Sequence, residues 1–313
     1  MLGQLNGQDL LKPLFFPTMK WIAGIELVLA TAIWGFGFVA VEWALVELHP
    51  LWILALRYLL AGAGGILVHL IFFHRQIPIW STSQLRLAFV PSVLLGLVLL
   101  LQTFGMVWTT ATNSGFITCL YLLFVPLIDR VFRGKHPPSG AWSCVGLGLV
   151  GAFLISGGTF AEPNLGDLLT LACAILAAVH IVWIGDIAPK ISHNFHFNTF
   201  QTLLFLPILL PALIPLPVPS APLSTRTWVA LLALSLGSSL LGFLIQVRAQ
   251  KVLSNLAASL IFILESPFSA LFAILLLGES MSPLQATGAA LMILASLLFS
   301  AVSNFRKKAP GSP

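Results

Sequence analysis

The sequence predicts an all-α integral membrane protein, with ten transmembrane helices arranged as two inverted five-helix repeats. Three observations support this fold class: ten apolar stretches of membrane-spanning length, basic residues almost only in alternate gaps between them, and a weak internal repeat. The 313-residue chain is 58% hydrophobic and 8% charged, with a mean hydropathy of +1.00. A water-soluble fold cannot bury so much apolar surface, whereas lipid accepts it.

Each predicted helix is a continuous apolar run, because a helix that rises about 1.5 Å per residue needs roughly 20 apolar residues to cross the bilayer. Membrane strands would alternate polar and apolar positions, and no such alternation appears. In chain order, the predicted helices span residues 21–42, 51–73, 87–108, 113–133, 139–157, 165–185, 198–216, 228–248, 256–277 and 283–303. The first lacks a following small-residue cleavage site, which predicts a retained helix rather than a signal peptide. Prolines in 207–222 predict that the seventh helix ends in an extended connection.

Lys and Arg predict the orientation of the chain. Of the 15 basic residues, thirteen fall on the face that carries the N-terminus, Arg226 falls on the opposite face and Arg57 lies within the second helix. Such a bias is typical of positive-inside insertion, so we expect a multi-pass protein of the inner (plasma) membrane with both termini cytosolic. The net charge of +5 reflects this bias, and its spread over many short loops argues against a nucleic-acid partner.

The two halves of the chain resemble each other. Sliding the sequence by 141 residues places Pro126 on Pro267 and pairs Glu265 with Phe124. Five helices per half, an odd number, would insert the second half upside down, as in carriers built from inverted repeats. The predicted organisation is a cytosolic N-terminal segment (1–20), a first repeat (21–157), a second repeat (158–303) and a cytosolic C-terminal tail (304–313).

Short segments in both halves resemble the EamA-type family of the drug/metabolite transporter superfamily. In the first half these are residues 32–38 (AIWGFGF), 56–61 (LRYLLA), 112–118 (TNSGFIT) and 124–127 (FVPL); in the second they are 166–169 (GDLL), 264–268 (LESPF) and 275–279 (LLLGE). The resemblance implies a ten-helix secondary transporter, with a central cavity lined chiefly by helices 1, 3, 4, 6, 8 and 9. It also implies export of small metabolites, such as amino acids or related amphiphilic compounds. His180 departs from the family, whose members more often carry an aromatic or apolar residue there.

The expected function is therefore alternating-access transport, with a small-molecule substrate, membrane lipid and a coupling proton as partners. A passive channel and an intramembrane lipid-modifying enzyme are the alternatives. The sequence holds no filter of repeated charges, no nucleophile or metal-protease motif and no P-loop, so neither an enzyme nor a cofactor is expected. The sequence is compatible with a monomer or a homodimer.

Glu265 is the first candidate for substrate binding or proton coupling, because an ionised carboxylate in mid-membrane costs several kcal/mol unless it is paired or hydrated. The competing interpretation is a neutral acid hydrogen-bonded within the bundle. His180 is the second candidate, since an imidazole can change charge near neutral pH. Trp183, about one turn away, could form a polar and aromatic corner with it.

Further candidates are polar or aromatic groups in apolar helices, which could contact a substrate or merely join helices. They are Trp34, Gln102, Asn113, Tyr121 and Gln246. Arg57 and Glu42 are predicted to form a structural ion pair, with a substrate-carboxylate clamp at Arg57 as the alternative. The three cysteines, Cys119, Cys144 and Cys173, lack metal-site spacing and are expected to be packing residues.

Overall fold

The computed structural model of the chain describes residues 7–73, 82–138, 140–158, 164–219 and 222–305, with side chains from Met19 to Ser300. Within these ranges all regular structure is helical, which confirms the predicted fold class. The helices are α1 (Gly7–Leu45), α2 (Pro50–Phe72), α3 (Thr82–Gly105), α4 (Ala111–Arg133), α5 (Ala141–Ile155), α6 (Leu165–Ile187), α7 (Asn194–Leu213), α8 (Thr225–Ala249), α9 (Asn255–Leu277) and α10 (Pro283–Phe305). The predicted terminal segments, 1–20 and 304–313, lie outside the described residues before 7 and after 305.

Nine helices of the described chain are long and apolar enough to cross a membrane. The remaining one, α5, has 15 residues and so rises about 22 Å, short of the roughly 30 Å of the hydrocarbon layer. Glycines with positive φ flank it, Gly140 at 85° and Gly157 at 101°. The multi-pass architecture is therefore confirmed, and a tenth full crossing stays a prediction.

Two helices are interrupted in equivalent ways. α4 consists of Ala111–Thr118 and Tyr121–Arg133, and α9 consists of Asn255–Phe262 and Glu265–Leu277. Each ends at a glycine in the left-handed region, Gly134 at φ 60° and Gly278 at φ 73°, where a Cβ would introduce strain. Every boundary in α4 recurs 144 positions later in α9, so the fold contains the two repeats.

This spacing corrects the repeat register predicted from sequence. The shift of 141 residues is wrong by three, and the structural equivalent of Glu265 is Tyr121 rather than Phe124. Three residues make nearly one helical turn, so the slipped register superimposes almost the same faces of two apolar helices. Hydropathy therefore distinguished the two registers poorly.

The two interruptions meet at the centre of the molecule. Cys119 in the α4 interruption is the repeat equivalent of Ile263 in the α9 interruption, and the Cys119 Sγ lies 3.7 Å from the Ile263 carbonyl oxygen. Pro267, four residues further on, has no N–H to donate to that carbonyl. The contact thus marks the pseudo-two-fold relation between the repeats.

Helix packing follows the same relation. α3 packs along α6 as α1 packs along α8, while α2 packs with its equivalent α7 and α5 with its equivalent α10. Glycines set the close approach of α5 and α10: a Cβ on Gly288 would lie 2.5 Å from the Gly151 carbonyl oxygen. Gly151 and Gly288 therefore act as packing residues between the two helices.

Candidate functional site

A central cavity lies where the two repeats meet. About 90 Å³ is open to the centre of a water molecule, and since one ordered water needs roughly 10–15 Å³ on this measure, several waters or a small organic solute can enter. The lining residues are Trp34, Gly37, Phe38 and Val41 of α1, Arg57 of α2, Leu95, Val98, Leu99 and Gln102 of α3, Thr118 and Tyr121 of α4, Ala177, His180 and Ile181 of α6, Ser238, Phe243 and Gln246 of α8, and Phe262 and Glu265 of α9. These are the helices that the family resemblance implied, with α2 in addition.

Equivalent positions of the two repeats contribute to the lining of this cavity. Gln102 of α3 corresponds to Gln246 of α8, and Tyr121 of α4 corresponds to Glu265 of α9, each 144 positions apart. The cavity is therefore built around the pseudo-two-fold axis, and the repeats differ chemically at its centre.

Glu265 is the first residue after the interruption of α9, and it is only 7% exposed. Its Oε1 makes no hydrogen bond of ordinary geometry with the described residues, and neither does the hydroxyl of buried Tyr121, although the two side chains lie close enough to interact with each other. A carboxylate in such a place is costly unless water, a proton or a ligand satisfies it. These two groups are therefore the unsatisfied polar groups of the cavity wall.

His180 lies in the middle of α6, buried, with its Nε2 3.2 Å from Gln201 Oε1 of α7. Its ring meets Phe243 edge to face, with centroids 6.3 Å apart. Trp183 is instead 41% exposed and outside the cavity lining, so the predicted corner between His180 and Trp183 does not form. Three residues along a helix leave two side chains about 60° apart around the axis, and here that offset places Trp183 on the exposed side of α6.

Trp34 supplies the aromatic wall. Its ring centroid is 5.2 Å from that of Phe243 and 5.3 Å from that of Phe262, and its Nε1 donates to the Ser238 carbonyl oxygen at 3.4 Å. The indole also packs on Gly242, where a Cβ would lie 2.6 Å from Nε1. Gly242 therefore leaves the space that the tryptophan fills.

Of the four polar candidates, three line the cavity. Gln102 Nε2 donates to Thr118 Oγ1 at 3.4 Å, and Gln246 Nε2 donates to Gln250 Oε1 at 2.9 Å. Asn113 lies outside the cavity, where its Nδ2 donates to Asp167 Oδ1 at 3.0 Å and ties α4 to the start of α6. Asn113 thus joins two helices in this structure.

The predicted ion pair of Arg57 and Glu42 does not form. Arg57 is 3% exposed, and its Nε and Nη2 donate to the hydroxyls of Ser239 and Ser238, each at 2.7 Å. Both serines belong to Ala233–Gly242, a π-helical stretch within α8. The long side chain points inward to this stretch, so it has no need to reach the surface.

A partly buried polar network, which we call the basic-face network, lies beyond the cavity lining, toward the face carrying Arg130 and Lys135. Asp129 accepts from Arg133 at 2.8 Å and from Asn255 at 3.3 Å. Further links are a pair between Arg133 and Asp186 and a hydrogen bond of 3.2 Å from Gln250 Nε2 to Asn255 Oδ1. The network thereby joins the ends of α4, α6 and α8 to the start of α9.

Sequence reasoning missed this network. The spacing of Asp129 and Arg133, four residues apart on α4, is the only local signal for any part of it. Its repeat equivalents on the opposite face include Ala273 for Asp129 and Leu277 for Arg133, which cannot form the same links. On α1 and α3 the cavity lining extends toward that opposite face, to Val41 and Gln102.

No three His, Cys, Asp or Glu side chains of the described residues converge on a position that could hold a metal ion. Cys119, Cys144 and Cys173 are buried and unpaired. What the site offers is one guanidinium, one carboxyl, one imidazole, amides and aromatic rings, which suits binding of a small amphiphilic solute.

Comparisons with known proteins agree with this architecture. The family model described as EamA-like transporter family matches residues 21–157 and 164–301. An uncharacterized transporter of Archaeoglobus fulgidus is 27% identical over 278 residues, covering 89% of this chain and 85% of that protein. A crystal structure of another protein superposes with a TM-score of 0.71 over 93% of this chain and 99% of that one. At 16% identity, that likeness shows the fold alone.

Proposed function

This chain belongs to the EamA-like transporter family of the drug/metabolite transporter superfamily, and from that membership we propose a secondary carrier that exports small amphiphilic metabolites, such as amino acids, by alternating access. The family and its named relative make the protein a membrane transporter. The substrate class, the direction and the mechanism are our proposal. In the proposed mechanism, the two halves of the protein that move are the predicted repeats, 21–157 and 158–303.

One observation carries the proposal: a mid-bundle cavity is formed by equivalent positions of both repeats. Two inverted halves that enclose one site can exchange conformations and so expose that site to either side. The basic-face network supports one such state, since it lies beyond one end of the lining and would close that end while the lining extends to the other. Opening the closed end would require separation of Asn255 from Asp129.

Glu265 is the proposed coupling residue. It is the single carboxyl in the cavity lining, and protonation would remove the cost of an unpaired charge there. A proton and a substrate ammonium group would then compete for the same carboxyl. We further propose that the positive-inside bias places the basic face and both termini in the cytosol of an inner-membrane protein.

The test is transport by purified protein in liposomes. Pooled radiolabelled amino acids and small metabolites are loaded, and efflux is followed with and without an imposed pH gradient. We expect saturable efflux that the gradient accelerates. In Glu265→Gln the acceleration should vanish while exchange of internal for external substrate persists, because exchange needs no net proton movement.

The matched control is Glu279→Gln, which makes the same chemical change at an exposed position outside the cavity. If Glu265→Gln shows saturable flux that the pH gradient still accelerates, Glu265 is not the coupling residue, and the proposal of a carrier stands. Non-saturable flux with a conductance would instead identify a passive channel. Conversion of bilayer lipid without solute movement would identify an enzyme.

A further inference from the structure

Arg57 is a buried cation without an acidic partner. Among the described residues, no carboxylate oxygen lies within 4.0 Å of its guanidinium. The same side chain lines the central cavity. A buried, unpaired charge costs several kcal/mol, so its presence calls for a ligand or water that compensates it.

The surroundings of Arg57 hold the guanidinium in a defined orientation. The hydroxyls of Ser239 and Ser238 accept hydrogen bonds from Nε and Nη2. The described residues provide no acceptor for Nη1. The neighbouring carbonyls of Ser239 and Leu240 accept from Asn198 Nδ2 of α7, at 3.1 and 2.9 Å. This fixes the serine-bearing stretch, so the remaining donors of Arg57 are preorganised.

The repeat relation indicates that this arrangement is specific to one half. The equivalent of Arg57 is Gln201, a neutral amide that contacts His180. A cation is therefore not required at this position of the repeat, since α7 carries a neutral amide there. The positive charge at Arg57 is therefore present in the first repeat and absent at the equivalent position of the second.

We propose that Arg57 anchors the carboxylate of the transported solute. This rests on the proposed carrier function and narrows its substrates to compounds with one carboxylate. A guanidinium matches a carboxylate in geometry and charge. The lining contains one permanent cation, which balances one negative charge and leaves a phosphate dianion half compensated. Glu265 and the aromatic rings of Trp34 and Phe262 lie in the same cavity and suit the amine and the apolar part.

The first experiment probes Arg57 without knowledge of the substrate. Purified protein in nanodiscs is treated with the small arginine reagent 2,3-butanedione, and modification of each arginine is followed by peptide mass spectrometry. Arg226, whose guanidinium lies 5.3 Å from the Trp43 ring centroid on the opposite face, is the internal control. We expect modification of Arg57 to be slowed by L-leucine and unaffected by equal concentrations of 3-methylbutylamine.

Modification of Arg226 should respond to neither compound. The same comparison is repeated with L-phenylalanine and 2-phenylethylamine, and with acetate as the minimal carboxylate. Failure of all three carboxylates to protect an Arg57 that reacts would overturn the anchor. So would an Arg57 that stays unmodified while Arg226 reacts fully, because a carboxylate could then not reach it from the cavity.

The second experiment measures transport by Arg57→Gln and Arg57→Lys, with Arg226→Gln as control. Loss of a charge-assisted hydrogen bond predicts a KM for carboxylate solutes raised roughly ten- to hundredfold in Arg57→Gln, with partial recovery in Arg57→Lys. Equal KM values in wild type and a folded Arg57→Gln would refute the anchor and keep the carrier. Protection of Arg57 in a wild-type protein that moves no solute would refute the carrier and keep the binding site.

Discussion

Replacement of Gly35 by alanine tests how closely α1 must approach the interruption of α9. A Cβ at Gly35 would lie 2.6 Å from Phe268 Cβ, 2.8 Å from the Glu265 carbonyl oxygen and 2.8 Å from the Ser269 amide nitrogen. Ordinary contacts begin near 3.4 Å, so α1 and α9 must separate by about 0.6–0.8 Å at this point. Two of the three atoms are backbone, which cannot rotate away.

Overpacking of this kind costs about 1–3 kcal/mol, while alanine in place of glycine within a helix gains up to about 1 kcal/mol. Gly24→Ala on the same helix provides the control, because its Cβ would meet only Ile261 Cδ1 at 3.9 Å. The propensity gain is shared by both variants and cancels in their difference. We therefore expect Gly35→Ala to be less stable than Gly24→Ala by about 1–3 kcal/mol.

The assay is reversible unfolding in mixed micelles by titration with a denaturing detergent, followed by the fluorescence of the nine tryptophans. A parallel transport measurement should show a raised KM in Gly35→Ala, because the displaced backbone is that of Glu265. Equal unfolding free energies for the two alanine variants, with equal KM, would refute the argument that α1 and α9 pack at backbone contact here.

Three further predictions concern other parts of the fold. Gly288→Ala should destabilise the α5–α10 pair in the same unfolding assay, whereas Gly146→Ala should not, since no atom lies within 4 Å of a Cβ at Gly146; similar losses in both would contradict the packing. Arg133→Gln should open the basic face, which a longer distance between spin labels on α4 and on the turn after α8 would report. Arg130→Gln on the same helix should leave this distance unchanged. Equal distances in the two variants would contradict a closing role for the network. Hydrogen bonds from the side chain and the amide of Ser224 and from the Thr227 hydroxyl hold the pKa of exposed Glu47 below its usual range. Any stability advantage of wild type over Glu47→Gln should therefore be present at neutral pH and lost as the pH falls through that lowered pKa. An advantage that persisted in acid would have another cause.

Hydropathy and charge predicted the all-helical membrane fold, the presence of two repeats and the helix ends to within five residues, except that α1 begins at Gly7 rather than at residue 21. These properties are local or additive along the chain: a helix satisfies its own backbone in lipid, and each apolar run can be measured against the bilayer without reference to its neighbours. The polar candidates Glu265, His180, Gln102, Tyr121 and Gln246 followed from the cost of placing such groups in lipid. The structure gathers these five in one cavity, and their roles in transport stay predictions.

Contacts between helices were beyond this reasoning, because they depend on rotation and register about each helix axis. A three-residue slip in the repeat hid the equivalence of Glu265 and Tyr121, since it changes hydropathy very little. Arg57 was predicted to pair with Glu42, but the π-helical stretch of α8 turns two serine hydroxyls toward it. The rotation of α6 about its axis buries His180 and leaves Trp183, about 60° away, exposed. Asn255 meets Asp129 only because α9 begins beside the end of α4. Positions along the chain follow from composition, whereas partners across the bundle follow from geometry that many remote residues set together.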